Sequence, residues 1–504
     1  MTKYLLLAVN LALGMFLMPF TVHHLGTTEY GLWMLVASMT AYFQLLDLGY
    51  GNGLVRHVSA ADALGDIGLV NQVLSTFTVV YAGLGLVAAA GIGALVIWIV
   101  PRFPHLLPEQ IGMARWVLIL IGLRVAVGFP MTVFGAATTA RQRFALNNLV
   151  ATASSLLNGA VTLGLLVLGF RVRGIVAGST AVALLSYGAY AWTAKTAFPE
   201  LRLRLSSFNG SLVRDVTAFS MYLFIIDLAV QIGFNLDDVV IGAALGTSAV
   251  AVYVVAQRLA DYQQRVSNQF NGLIFPVVVR YGAVDQPDAR DRLRRMLVDG
   301  TRFALTLVVG VTVCLMGFAD ALIARWMGPG FEGAVLPLQV LAVMGVVIVG
   351  QGPLGNILLG TGRHRLVAFT SLSEAVANLI LSLALVRHYG ALGVAIGSAV
   401  PLIVANVFVL APAACRQVGI GMRDFLRQVA TAPLACGALA AAATGLLRAR
   451  WAPASLTVIF IEGALVGGTY LVAVWTLGFD KAIRARYWSY GRRLLPAALT
   501  EQSV

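Results

Sequence analysis

The sequence predicts an all-α integral membrane protein of about fourteen transmembrane helices, built as two pseudo-symmetric six-helix lobes followed by two C-terminal helices. Three observations lead there. Apolar runs of about 18 residues or more recur along the whole length, long enough to cross hydrocarbon as helices. The runs are continuous rather than alternating, which disfavours a barrel. The chain also repeats itself: TARQR at 139–143 returns as TGRHR at 361–365, GIVAGS at 174–179 returns as GVAIGS at 393–398, and LGTTEYGLWMLVASM from Leu25 lines up with LGTSAVAVYVVAQRL from Leu245. The offsets of 222, 219 and 220 keep one register with small gaps, so a six-helix half has been duplicated. A duplicated membrane half implies a transporter whose site lies between its halves.

In chain order the expected spans are roughly 4–20, 30–54, 75–100, 113–135, 146–169, 174–193, 214–234, 238–262, 299–323, 333–360, 365–386, 390–412, 427–447 and 455–477. The first follows Lys3 and has the look of a signal peptide, but no small-x-small site follows it and Leu25-Gly26-Thr27 belongs to the repeat, so it is expected to be retained. Residues 1–193 form the first lobe, and 194–213, marked by Pro199, Arg202 and Arg204, a cytoplasmic connector. Residues 214–412 form the second lobe, 413–477 the additional pair and 478–504 a cytoplasmic tail. Six spans is an even number, so both lobes enter the membrane in the same sense, related by a pseudo-two-fold along its normal. The charged run DQPDARDRLRR at 285–295 reads as part of an inner loop, or as an amphipathic helix on anionic headgroups.

Net charge is +13, with 59% hydrophobic and only 11% charged residues. With the N-terminus inside, 26 of the 35 basic residues fall on cytoplasmic segments and eight at outer ones. That asymmetry fits the positive-inside rule for a multi-pass protein with an even number of crossings and both ends in the cytoplasm, and it removes any need for nucleic acid as a partner. The three cysteines, Cys314, Cys415 and Cys436, have no metal or disulfide spacing and read as packing residues.

Polar residues inside spans are costly, so they face a bundle interior or water. In span seven, Thr217, Ser220, Asp227, Gln231, Asn235 and Asp238 fall within about 80° of one another on a helix, opposite an apolar face of Phe219, Leu223, Ile226 and Val230. Span eleven repeats the idea with Ser371, Glu374, Asn378 and Ser382, and span five, its partner in the repeat, with Asn147, Ser154, Asn158 and Thr162. Span two carries Thr40, Gln44 and Asp47 on one face and runs into LDLGYGNG, whose glycines permit either a helix break or close packing. Arg124 is the one basic residue well inside a span; it pairs with a carboxylate such as Asp47 or meets an anionic substrate. The expected substrate cavity therefore takes in Gln44, Asp47, Arg124, Asn158, Asp227, Gln231, Asn235 and Asn378. Arg258, Asp261 and Arg265 lie at the inner end of span eight at i, i+3 and i+7, spaced for an ion-pair network or a cytoplasmic gate.

No phosphate-binding GxxxxGK[ST] loop, nucleophile elbow, HExxH or EF-hand pattern is present. The paired carboxylates Asp237-Asp238 are placed at the outer junction of spans seven and eight. The outer loops are short, which leaves no room for the periplasmic domain that a polysaccharide polymerase usually needs. A non-enzymatic carrier without cofactor is expected, driven by a gradient or by consumption of product.

LG-x3-YGLW at 25–33, LDLGYGNGLVRHVS at 46–59, the connector, TARQRF and the terminal G-x3-GS of each half together resemble the Wzx-type O-antigen and exopolysaccharide flippases of the MATE-like superfamily. The resemblance covers residues 1–412 and extends to fourteen spans. It implies two six-helix lobes arranged as a V around a central cavity lined by spans one, two, seven and eight. The implied substrate is undecaprenyl-diphosphate-linked oligosaccharide, moved by alternating access between leaflets. It also implies possible coupling to H⁺ or Na⁺, for which Asp227 and Glu374 are the candidates, and work beside a polymerase and export machinery. Lipid II flippases resemble the chain less, because their first helices carry a basic cluster and span one here offers only Lys3. Drug and cation exporters of the MATE type often carry a carboxylate in the first helix, where this chain has only Asn10.

Overall fold

The computed structural model of the chain describes residues 2–267, 289–451, 453, 455–481 and 483–485. Every regular element among them is helical. In order these are α1 (Thr2–Ala41), α2 (Tyr50–Ala63), α3 (Ile67–Ala94), α4 (Pro108–Ala140), α5 (Phe144–Val167), α6 (Val172–Ala197), α7 (Gly210–Leu245), α8 (Thr247–Ser267), α9 (Ala289–Trp326), α10 (Val335–Gly360), α11 (His364–Ala405), α12 (Ala411–Val418), α13 (Met422–Val429), α14 (Thr431–Arg450) and α15 (Leu456–Ala473). Among the described residues, ten stretches are long and apolar enough to cross a membrane, which leaves the expected count of fourteen unconfirmed. Two of the ten are broken, at Gly26 (φ 76°) in α1 and at Gly390 (φ 58°) in α11, where the sequence separates spans one from two and eleven from twelve. The helices α7 and α8, read as spans seven and eight, are not among the ten.

Cα proximity groups the residues up to Val255 with Ala368–Pro401, and Ala256–Val367 with those from Leu402 onward. The first unit holds α1–α7, the first nine residues of α8 and most of α11. Its aromatic core joins Tyr50 of α2, Phe77 and Tyr81 of α3 and Phe129 of α4, with neighbouring ring centroids 5.6–6.4 Å apart.

The repeat is visible in this unit as geometry. Gly26 and Gly246, one repeat apart, share a conformation reserved for glycine (φ 76°, ψ 164° and φ 88°, ψ 175°). Two residues on, Thr28 and Ser248 meet hydroxyl to hydroxyl at 3.2 Å across a separation of 220 residues. Beside them α1 lies so close to α8 that a Cβ on Gly31 would overlap the Thr247 carbonyl oxygen and sit 3.2 Å from the Ala251 amide nitrogen. These contacts join equivalent positions of the two copies, as residues on a pseudo-two-fold axis must.

The conserved spacing G-x3-GS also has a packing reason. In the first copy a Cβ on Gly178 would lie 2.6 Å from Leu165 and 2.7 Å from Val161, so α5 and α6 close as a tight hairpin only without side chains there. In the second copy Gly393 faces the Leu385 carbonyl and Gly397 faces Ser382, and the two halves of α11 fold back on each other about Gly390. The first arginine of TARQR ties three helix ends together. Arg141 pairs with Asp62 at 2.9 Å, donates to the Ala197 carbonyl and stacks 3.8 Å over the Phe198 ring.

One boundary differs from the sequence reading. Span two was expected to run to residue 54, but α1 stops at Ala41, a 3-10 turn covers Tyr42–Asp47, and Leu48 (φ 50°) and Gly49 (φ 71°) reverse the backbone before α2. Of the two roles open to the LDLGYGNG glycines, the helix break is the one adopted. It leaves the Asp47 side chain at a helix end instead of on a continuous helix face.

In the second unit α14 and α15, the pair outside the duplication, pack on α9. Gly310 and Gly437 give room to Tyr470, and Arg448 pairs with Asp320 at 2.6 Å. From Ala289 onward the charged run at 285–295 is helix, continuous with the apolar part of α9; residues 285–288 lie outside the described residues.

Candidate functional site

Two polar clusters stand within the helices of the first unit. The helix break at Leu48-Gly49 presents Asp47, whose Oδ1 accepts from the Tyr81 hydroxyl at 2.5 Å and whose Oδ2 accepts from the Gly51 amide at 3.4 Å. Next to it, Gln44, Leu45, Asp47, Leu48, Gly49, Phe224 and Gln231 enclose a cavity of about 230 Å³. One turn along α7 from Gln231, Asn235 donates its amide to the Gln231 side-chain oxygen at 2.8 Å, which fixes the orientation of both amides. Tyr50 bonds Thr217 at 2.9 Å on the same helix. Gln44, Asp47 and Gln231, three residues expected at the site, thus line one polar hollow, and a fourth, Asn235, is held against Gln231. The hollow's volume is below the about 300–1,000 Å³ usual for a whole small-molecule ligand, so it suits part of a larger headgroup.

The second cluster centres on residues not expected at the site, although it takes in Asn378, one of the expected cavity residues. Asp237 and Asp238 are 3% and 6% exposed, buried among helices rather than set in an outer loop. They point to different partners. Asp238 accepts from Ser38 of α1 at 2.5 Å. Asp237 accepts from Tyr253 of α8 at 2.8 Å and from Ser398 at 2.9 and 2.8 Å, one to each carboxylate oxygen, and hydrogen-bonds Asn378. The Ser398 hydroxyl is also 3.3 Å from the Asn378 side-chain oxygen and 3.2 Å from the Val394 carbonyl. A hydroxyl carries one proton, yet four acceptor oxygens crowd this one. Ser382 supplies one more donor, to Asn378 at 2.9 Å. The result is an oxygen-rich cluster of carboxylate, amide, carbonyl and hydroxyl groups, in which Tyr253, Ser398, Ser382 and the Asn378 amide are the donors. Such a set of oxygens fits a hard monovalent cation or an added proton.

The serine of the first repeat copy differs. Ser179 hydrogen-bonds the Val176 carbonyl of its own helix at 3.0 Å. The shared G-x3-GS motif therefore packs both hairpins, and only in the second copy does its serine serve a polar cluster. Asp238 in the predicted stripe was the sign of this site available in the sequence.

The remaining expected residues are spread out. Arg124 is exposed on α4, where its backbone carbonyl accepts from Tyr187 at 3.2 Å. Among the described residues it forms no ion pair with Asp47. Asn158 on α5 and Glu374 on α11 are half-buried. At the end of α8, Asp261 and Arg265 pair at 2.8 Å, whereas Arg258 is exposed. Asp227 lies on α7, but its side chain, like that of Ser220, is outside the described residues.

A protein-family model described as "Polysaccharide biosynthesis protein" matches residues 24–336, more than half of the chain. The chain belongs to that family. Among curated proteins, this polysaccharide biosynthesis protein is 23% identical over 158 residues to the teichuronic acid biosynthesis protein TuaB of Bacillus subtilis, covering 31% of the chain and 32% of TuaB. It is 22% identical over 205 residues to the probable low-salt glycan biosynthesis flippase Agl15 of Haloferax volcanii, covering 41% of the chain and 42% of that relative. The matched regions thus span less than half of these curated relatives. Among solved structures, the lipid II flippase MurJ in an inward closed conformation superposes with a TM-score of 0.69 over 98% of the chain and 99% of MurJ, at 11% identity. An inward-facing multidrug resistance MATE family transporter gives 0.66 over 82% and 95%, at 15% identity. The chain thus has the fold shared by MurJ and MATE transporters.

Proposed function

We propose that this protein translocates a lipid-linked oligosaccharide, carried on undecaprenyl diphosphate, across the bacterial inner membrane, and that it acts as a carrier and not as an enzyme. The observation that carries the reading is a member of a polysaccharide biosynthesis family that places a carboxylate- and amide-lined hollow within its membrane helices. Asp47, Gln44, Gln231 and Asn235 offer acceptors and donors for sugar hydroxyls where lipid would offer none. Two of the relatives bear the word flippase in their names, which agrees with this use.

In this account the sugar headgroup enters the hollow while the isoprenoid tail stays in lipid. Arg124, exposed in its span, meets the diphosphate or an acidic sugar. The repeat-equivalent contact of Thr28 with Ser248 opens and closes in alternation with a gate at the other end, where Arg258, Asp261 and Arg265 lie. If transport is coupled to H⁺ or Na⁺, Asp237 with Asn378, Val394 and Ser398 is the best-provided cation site. Asp227 and Glu374 are further carboxylates for the same role. A polymerase and export machinery would take the product on the far side.

Chromosomal deletion tests the reading. Polymer should be lost from the cell surface, and the lipid-linked oligosaccharide should accumulate on the cytoplasmic leaflet until the wild-type gene is restored. Unchanged polymer together with lowered drug tolerance would replace this reading with antiport of the MATE type.

A further inference from the structure

The second unit contains a polar cavity of about 850 Å³ that the transport account does not use. Its walls are the charged first turns of α9, the short helix α13, the start of α14 and the segment around Gly478–Asp480. Four arginines line it, Arg294, Arg295, Arg302 and Arg427, together with four carboxylates, Asp291, Asp299, Asp424 and Asp480. Two of the carboxylates are held by neighbours. Asp299 is 3.5 Å from the buried Arg302, whose Nε donates to the Gln428 carbonyl at 2.6 Å, and Asp480 accepts from the Ile483 amide at 2.8 Å. Among the described residues none of the other three cavity arginines has a carboxylate within 4.0 Å. Thr431, also in the wall, opens α14, a helix whose first turn has no side-chain cap and no acidic residue. Its amides and dipole favour an anion at this end of the cavity.

The depth of the cavity names the ligand class. α9 is charged up to Arg302 and apolar from Phe303, α14 begins its span at Thr431, and the last span ends at Gly478. Three spans leave hydrocarbon at this level, which is headgroup depth. The helix α13 buries Phe425 and Val429 and exposes Leu426 beside charged residues, as a helix lying in the interface does.

We propose that this cavity binds the phosphate of an anionic phospholipid headgroup through Arg294, Arg295 and Arg427. A soluble phosphate compound offers the same chemistry, so the test separates the two. Full-length protein purified in detergent is titrated with phosphatidylglycerol, with phosphatidylcholine and with sodium pyrophosphate, and bound ligand is counted by native mass spectrometry. The wild type should prefer phosphatidylglycerol over phosphatidylcholine by about tenfold or more, given about 1 kcal/mol for each basic residue at an anionic surface. The R294Q/R295Q/R427Q variant should lose that preference, and R143Q/R204Q/R363Q, which removes as much charge elsewhere, should keep it. Equal loss in both variants overturns the proposal. So does a wild type without preference, a result that needs no variant to fold. Binding of pyrophosphate with no preference for phosphatidylglycerol would overturn the assignment to lipid.

Discussion

Gly31→Leu is expected to abolish transport and to cut sharply the amount of folded protein in the membrane. The position faces the backbone of α8: any Cβ there overlaps the Thr247 carbonyl oxygen and lies 3.2 Å from the Ala251 amide nitrogen. A side-chain neighbour can turn aside, but a helix backbone cannot, so two helices must separate. Ordinary overpacking costs about 1–3 kcal/mol, and a clash against backbone exceeds that, out of a total stability of only about 5–15 kcal/mol. The Thr28–Ser248 contact one turn away would be lost as well. Gly83→Leu is the matched control, because a Cβ at Gly83 meets nothing within 4 Å. Size-exclusion chromatography of fluorescently tagged protein and restoration of polymer in a deletion strain read both outcomes. A Gly31→Leu protein that folds and transports like Gly83→Leu would mean that α1 and α8 do not pack this way.

Asp237→Asn is expected to leave the amount of folded protein near normal while lowering transport by about tenfold or more. The amide keeps the shape of the carboxylate and can still accept from Ser398 or Tyr253, so the loss of buried hydrogen bonding is limited to about 1–3 kcal/mol. What changes is the chemistry. One acceptor oxygen of a crowded cluster becomes a donor, and the charge that would hold a cation disappears. Glu374→Gln, in a half-buried side chain away from that cluster, should have the smaller effect on any dependence of transport on Na⁺ or pH. If both variants transported normally with unchanged ion dependence, ion coupling through these carboxylates would be ruled out.

The fold was largely legible because membrane helices announce themselves by length and apolarity, and because the repeat fixes where equivalent parts belong. The offset of 220 between Leu25-Gly26-Thr27 and Leu245-Gly246-Thr247 reappears as two glycines of the same conformation and a hydroxyl contact between mates. The hollow around Gln44, Asp47 and Gln231 was legible for the same physical reason: polar groups inside spans are expensive, and helical period places them on one side. Asp237 was misplaced at an outer junction because its burial depends on partners far off in sequence, Ser398 being 161 residues away. Ser398 in turn was hidden inside a motif that reads as scaffold in both copies. The break after Asp47 could not be chosen from glycines that serve helix ends and close packing equally well.

The most direct test of the central claim is leaflet accessibility in vesicles reconstituted with the purified protein. Lipid-linked oligosaccharide from the host strain is incorporated, and a membrane-impermeant lectin or glycosidase reports the fraction that becomes accessible with time. The account predicts that accessibility rises beyond the initially exposed leaflet only in vesicles holding the protein, and that Gly31→Leu or Asp237→Asn slows the rise. The same slow rise in protein-free vesicles and in vesicles with the wild type would contradict it.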